Sequence, residues 1–210
     1  MKIINLTEES DIYTSNVYLV TGDWKTLDDK NTLVDVGRDP KIIEKITRSS
    51  AGVGKRKLDQ VILTHDHYDH ASLTHEIKKL FSPTIYAFSN SKGCVDIILR
   101  GKEIIRVGDR FFEVIHTPGH TGDSICLFCE EDGVLFVGDT IPVHGGPGCR
   151  YDERFIHALF YIATKDVRAI YYGHGRPTFG RCNAIIENSI KSLRESRKTP
   201  INLLKKEDTG

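Results

Sequence analysis

Four apolar runs of strand length each end in histidine or aspartate, and this pattern constrains the chain more than any other feature. "VILT" leads into His65, His67, Asp69 and His70. "FFEVIHTPG" leads into His120, "VLFVG" into Asp139 and "AIYYG" into His174. A continuous apolar run of this length, bounded by turn formers, reads as a buried strand. In packed α/β architectures, the loops at the C-terminal edge of such strands converge on a site. Gly119, Gly138 and Gly173 each precede one of these residues and allow turns that a Cβ would obstruct.

The rest of the chain supplies a scaffold of the same kind. "NVYLVTGDW" and "NTLVDVG" read as strands around a hairpin tip at "KTLDDKN". "DPKIIEKITRSS" reads as a helix that starts at Asp39-Pro40. "SLTHEIKKLF", "DERFIHALFYIATKD" and "NAIIENSIKSLRES" are further helices, and "PTIYAF" is a strand. "SKGCVDIIL" fits either type. Two further hairpins are expected, turning at Gly108-Asp109 and at Asp132-Gly133. "VILTHDHYDHAS" and "EVIHTPGHTGDS" echo each other weakly, as two related halves would. No long linker or low-complexity segment interrupts the 210 residues, so a single domain over 1–210 is expected.

Composition narrows the partners. Lys plus Arg and Asp plus Glu each number 29, so no strong basic field draws in nucleic acid. No stretch approaches the roughly 20 apolar residues of a membrane span, and the N-terminus lacks an apolar signal core. A cytoplasmic protein acting on a small-molecule substrate, without nucleic-acid or membrane partners, is the expectation. No feature of the sequence specifies an oligomeric state. The five cysteines are irregularly spaced. Cys126 and Cys129 form a C-x-x-C on a strand, with no second pair for zinc and no helix start for redox work, and so are expected to be ordinary strand cysteines.

Imidazole and carboxylate ligands suit zinc, iron or manganese. Seven candidates exceed what one tetrahedral ion takes. They suit two ions sharing a carboxylate, about 3.5–4 Å apart. His65 and His67 alternate in an extended loop and can point the same way, whereas Asp69 and His70 follow a bend and can face a second ion. His75 and His157 fall on helices and are read as structural. His116 lies shortly before the His120 loop and is read as a support for it. His144 lies near the mouth and is a candidate substrate contact.

His65-x-His67-x-Asp69-His70, "TPGHTGDS", "FVGDT" and "YYGHG" together resemble the metallo-β-lactamase superfamily, and "NVYLV…TLVDVG" resembles its first strands. The resemblance runs from about Asn16 to about Gly175. It implies an α/β fold, a four-layer αββα sandwich with a metal cleft at one edge of the sheets. It also implies two divalent ions, zinc expected and iron or manganese as alternatives. His65, His67 and His120 would form one site, Asp69, His70 and His174 the other, with Asp139 bridging.

The same resemblance prunes the chemistry. His67 stands where flavodiiron proteins usually carry Glu, and Asp139 where the β-lactamases lack a bridging aspartate. RNA-processing members carry inserted domains or a basic arm. What is left is similar to glyoxalase II and its short relatives, hydrolases of a thioester, ester or lactone. A metal-bridging hydroxide would attack the carbonyl there, with Asp69 and Asp139 as the catalytic carboxylates. Glyoxalase II proteins hold the glutathione carboxylate with a basic and an aromatic residue after the bridging aspartate, and "PVHGGPGCRYD" offers Arg150 and Tyr151 in a similar place. They also complete that pocket with a C-terminal helical domain, whereas only residues 178–210 follow "GHGRP". Two alternatives are a mononuclear iron persulfide dioxygenase, using His65, His120 and Asp139, and a non-catalytic metal-binding protein.

Overall fold

The computed structural model describes residues 1–23, 26, 28–52, 54–91, 93–143 and 151–198. Twelve strands pair into two sheets among them. The first runs in the order β1 (Lys2–Asn5), β2 (Tyr18–Thr21), β3 (Thr32–Val34), β4 (Gln60–Ile62), β5 (Thr84–Ala87), β6 (Ile97–Ile98). The second runs β12 (Thr178–Phe179), β11 (Ala169–Tyr172), β10 (Val134–Gly138), β9 (Ile125–Cys129), β8 (Arg110–His116), β7 (Ile104–Val107). All three expected strand pairs, β2–β3, β7–β8 and β9–β10, are present and antiparallel.

Strand alternation explains the layering, because successive side chains point to opposite faces. In β2, Leu19 joins the cluster under helices α1 (Lys41–Arg48) and α3 (Thr74–Phe81), which also holds Ile42, Ile46 and Ile77. Tyr18 and Val20 point the other way, into a middle cluster shared with Phe112, Val114, Leu127 and Phe136 of the second sheet. The outer face of that sheet supplies Phe128, Leu135 and Val137 to a third cluster. There they meet Phe155, Leu159 and Ile162 of α4 (Glu153–Ala163) and Ile186 and Ile190 of α5 (Cys182–Lys198). Helix, sheet, sheet and helix thus stack in four layers around three apolar interfaces, the expected αββα sandwich. Cys126 faces the α4–α5 layer and Cys129 the middle one, so the C-x-x-C spacing sends two buried free thiols to opposite faces.

The stretch that fitted either type, "SKGCVDIIL", contributes only the short edge strand β6. The edge strands β1 and β12 carry no pattern distinct enough to read from sequence. Among the described residues, no helix is long and apolar enough to cross a membrane.

Candidate metal centre

The parallel pairings β3–β4 and β10–β11 send four strand ends to one edge of the sandwich. Cross-sheet bonds close that edge. The Ile125 amide donates to the Thr64 carbonyl at 2.9 Å, and the Asn16 amide to the Gly173 carbonyl at 2.6 Å. Asp69 and His70 sit on a single helical turn, α2 (Tyr68–Ala71), which takes them out of the line of His65 and His67.

Three overlapping groups converge here: His65 with His67 and His120; His65 with His70 and Asp139; and Asp69 with His70 and His174. In each group one ligand atom per residue lies within 4.8 Å of the others. Nδ1 of His67 faces Nε2 of His120 at 2.9 Å. An Oδ atom of Asp139 lies 3.4 Å from Nε2 of His70, 3.5 Å from that of His174 and 3.7 Å from that of His120. Nε2 of His174 is 3.0 Å from Oδ2 of Asp69. All seven residues singled out as metal-binding candidates are therefore brought together, with Asp139 between the two outer trios.

The imidazoles are aimed by their far sides. Thr64 donates its amide and its hydroxyl to Asp35, at 2.7 and 2.8 Å. Its hydroxyl hydrogen being so used, Thr64 Oγ1 accepts from Nδ1 of His65 at 3.1 Å, which leaves Nε2 of His65 as the lone-pair nitrogen. Nδ1 of His70 donates to Asp35 at 2.8 Å. Nε2 of His65, of His70 and of His174 are all buried without a hydrogen-bond partner. Three buried ring nitrogens directed at one carboxylate cluster, each costly to leave unpaired, are the donor set that a divalent cation takes.

Packing confirms how tightly the cluster is drawn. A Cβ on Gly173 would stand 2.1 Å from Oδ1 of Asp139 and 2.6 Å from Cε1 of His70. One on Gly119 would enter the Phe155 ring, so the glycine lets the His120 loop lie against α4.

Electrostatics separate the histidines. Burial, reinforced by the His70 charge, holds His65 down to about 4, so its ring is neutral. Burial would also lower His70, but the Asp35 and Asp139 carboxylates outweigh it and raise the group to about 10. Burial opposes ionisation of Asp139, yet its contact with His70 and the surrounding imidazoles bring it to about 2.

The other candidates are placed as follows. Tyr151 packs on Phe155, ring centroids 5.5 Å apart, and lines a cavity of about 290 Å³ with His120 and Asp139. His144 and Arg150 lie outside the described residues. His116 stacks on Phe88 at 3.8 Å and joins Gly122 O through Nε2 at 2.9 Å, so it braces the His120 loop. His75 and His157 lie on α3 and α4.

Three residues at the centre carried no mark in the sequence reading. Asp35 was legible in principle, since "TLV" also ends at an aspartate followed closely by glycine. Asn16 donates its side-chain amide to the carbonyls of Tyr172 and Gly175, at 2.9 and 2.8 Å, and so anchors the His174 turn from another layer. The ring of Tyr13 stacks on His174 at 5.3 Å, and its hydroxyl is raised by burial and by Asp69. An aromatic in a polar loop gives no such signal in one sequence.

Comparison with known proteins settles the lineage. A family model described as the metallo-beta-lactamase superfamily matches residues 11–93 and 95–176. The chain belongs to the metallo-β-lactamase superfamily. It is 31% identical over 192 residues to a probable hydroxyacylglutathione hydrolase, glo2, of Schizosaccharomyces pombe, covering 86% of this chain and 70% of that one. It is 27% identical over 168 residues to an atrochrysone carboxyl ACP thioesterase of Aspergillus fumigatus, covering 78% of this chain and 50% of that one. The chain thus spans between half and about two thirds of these relatives. The crystal structure of ETHE1 from Myxococcus xanthus superposes with a TM-score of 0.68 at 22% identity, over 96% of this chain and 93% of that one, and shares its fold.

Proposed function

We propose that this protein is a metal-dependent hydrolase that cleaves a thioester, or a related ester or lactone, at a centre of two divalent ions, zinc first among them. The observation that carries the reading is the arrangement of two outer trios, His65–His67–His120 and Asp69–His70–His174, around Asp139, with buried imidazole nitrogens turned inward. His65, His67 and His120 would hold one ion, Asp69, His70 and His174 the other, and Asp139 both. Bound there, the ions would supply Lewis acidity and lower the pKa of water from about 15.7 towards 7.

The chain's own residues do the rest. Asp69 lies 3.0 Å from Nε2 of His174 within the cluster, where its carboxylate would orient an attacking water and receive its proton. Asp35 and Thr64 fix the rings of His70 and His65, so the cluster is set before substrate arrives. Tyr151, beside His120 and Asp139, would form one wall for the acyl group. The relatives support the bond class. One is named a hydrolase of hydroxyacylglutathione and another a thioesterase, and a thioester is common to both.

Metal content per chain, measured by mass spectrometry on protein grown with zinc and iron, tests the reading together with hydrolysis of S-lactoylglutathione and simple acyl thioesters. Close to two ions and thioester cleavage are expected. Close to one iron, with oxygen uptake on glutathione persulfide and no hydrolysis, would replace the hydrolase with the dioxygenase alternative.

A further inference from the structure

Within the trio Asp69–His70–His174, two members are held from behind. His70 donates through Nδ1 to Asp35 at 2.8 Å. Asp69 is buried on α2, and its carbonyl accepts the Ser15 amide at 3.0 Å. His174 is the exception. Its Nε2 faces Asp69 and Asp139, but among the described residues no hydrogen bond reaches its Nδ1. Its side chain is 35% exposed, so close packing does not fix the ring either. A metal-binding histidine ordinarily donates from its far nitrogen to a fixed partner, which sets the orientation of the ring.

What His174 has in that place is Tyr13. The two ring centroids lie 5.3 Å apart and the planes 13° from parallel, an offset stack. Tyr13 is 61% exposed, so burial does not explain its position. The position is nonetheless defined. The Tyr68 ring, on α2 between His67 and Asp69, stands 6.5 Å from it, and the Arg38 guanidinium lies 5.3 Å over Tyr68. The backbone just after Tyr13 is tied at three successive residues. Oγ1 of Thr14 accepts the Arg38 amide at 2.9 Å, the Ser15 amide reaches Asp69 O, and the Asn16 amide donates to Gly173 O at 2.6 Å. One short segment thus grips the stretches that carry Asp69 and His174. An imidazole that shares its Nε2 lone pair with a cation is electron-poor, and a phenol face holds it more strongly than a free imidazole. The stack therefore favours the loaded state, the condition for any contact to add affinity.

We propose that Tyr13 is the positioning residue of His174, its ring taking the place of a hydrogen bond to Nδ1, and that it sets the affinity of the Asp69–His70–His174 site separately from that of the His65–His67–His120 site. The second clause rests on the two-ion reading, whereas the fixing of the His174 ring does not.

The test compares Tyr13→Phe, which keeps the ring, with Tyr13→Leu, which keeps apolar bulk without it. Zinc affinities of the two sites are resolved by chelator competition, and His174→Ala marks which site is which. Tyr13→Leu should weaken the His174 site by about tenfold, the low end for loss of the partner behind a metal-binding histidine, and leave the other site unchanged. Tyr13→Phe should match the parent. In the metal-free protein, NMR relaxation should show a rigid His174 ring in the parent and in Tyr13→Phe and a mobile one in Tyr13→Leu. Equal weakening of both sites, no weakening of either, or a Tyr13→Phe protein as weak as Tyr13→Leu would overturn the proposal. A parent that takes a single ion would sink the two-ion reading instead. The metal-free spectra then decide for Tyr13: a ring freed only in Tyr13→Leu keeps it as the positioning residue, and a ring equally rigid in all three proteins overturns it.

Discussion

Oδ2 of Asp35 lies 2.8 Å from Nδ1 of His70, and the same aspartate accepts both the amide and the hydroxyl of Thr64, which in turn carries Nδ1 of His65. One buried carboxylate thus fixes two of the inward-facing imidazoles. Asp35 does so at φ +60°, a backbone conformation unfavourable for a residue with a Cβ and tolerated best by Asn and Asp. The position is shaped by what the carboxylate does.

Replacing Asp35 with Ala should therefore weaken metal binding even though Asp35 faces away from the cluster. Loss of such an outer partner typically costs about 10- to 100-fold in affinity. It also strands buried donors of Thr64 and His70, at about 1–3 kcal/mol each. Chelator competition should show the first effect, and a lowered Tm of the metal-free protein the second. Unchanged zinc affinity would remove Asp35 from the centre.

Asp139→Ala should also cost metal, but without cost to the fold. Its carboxylate contacts His70, His120 and His174 but supports no β-ladder. Metal content and hydrolysis should both collapse while circular dichroism stays that of the parent. A variant that keeps two ions and full activity would sink the two-ion reading.

Most of the fold was legible in the sequence because its signals are local. The ligand-bearing strands are continuous apolar runs, and both hairpins in the second half turn at glycine-containing tips. The seven converging His and Asp side chains were legible for the same reason, each lying just beyond a strand end. What escaped was non-local. β1 and β12 are strands only because β2 and β11 offer them an edge. Asn16 and Tyr13 gain their places from chain segments about 160 residues away, through the His174 turn. The one-turn α2 was read as a bend in a loop, since four residues are too few to show a helical period.

Two glycines in the last ligand loop separate space from backbone strain. Gly173 has no left-handed φ, yet a Cβ there would overlap Asp139 and His70, so Gly173→Ala should abolish metal binding with the fold retained. Gly175 sits at φ +84° with open space around it, so Gly175→Ala should cost about 1 kcal/mol of stability and leave metal content near normal. Paired metal analysis and thermal melts distinguish the two. Equal effects in both variants would contradict the crowding around Asp139.

Proton release on metal loading should follow from His70. In the metal-free protein, Asp35 and Asp139 hold this group at about 10 against burial, so near neutral pH both of its ring nitrogens carry hydrogen. A cation can take Nε2 only by displacing one of those protons, whereas His65, held near 4, is already neutral. Loading near neutral pH should release about one proton from this source, read by calorimetry in buffers of different ionisation enthalpy. The sign for stability follows from the same shift. A raised folded-state value stabilises the metal-free protein fully below the ordinary 6.5, and that contribution is lost as pH rises through about 10. His65 acts in the other direction. Its depressed value destabilises the metal-free fold as pH falls from 6.5 towards 4. Metal-free protein should therefore lose stability on both flanks of neutrality. Asp35→Asn, which removes the carboxylate charge beside His70, should release fewer protons on loading. Proton release that is the same in Asp35→Asn and in the parent would show that Asp35 does not set the protonation of His70.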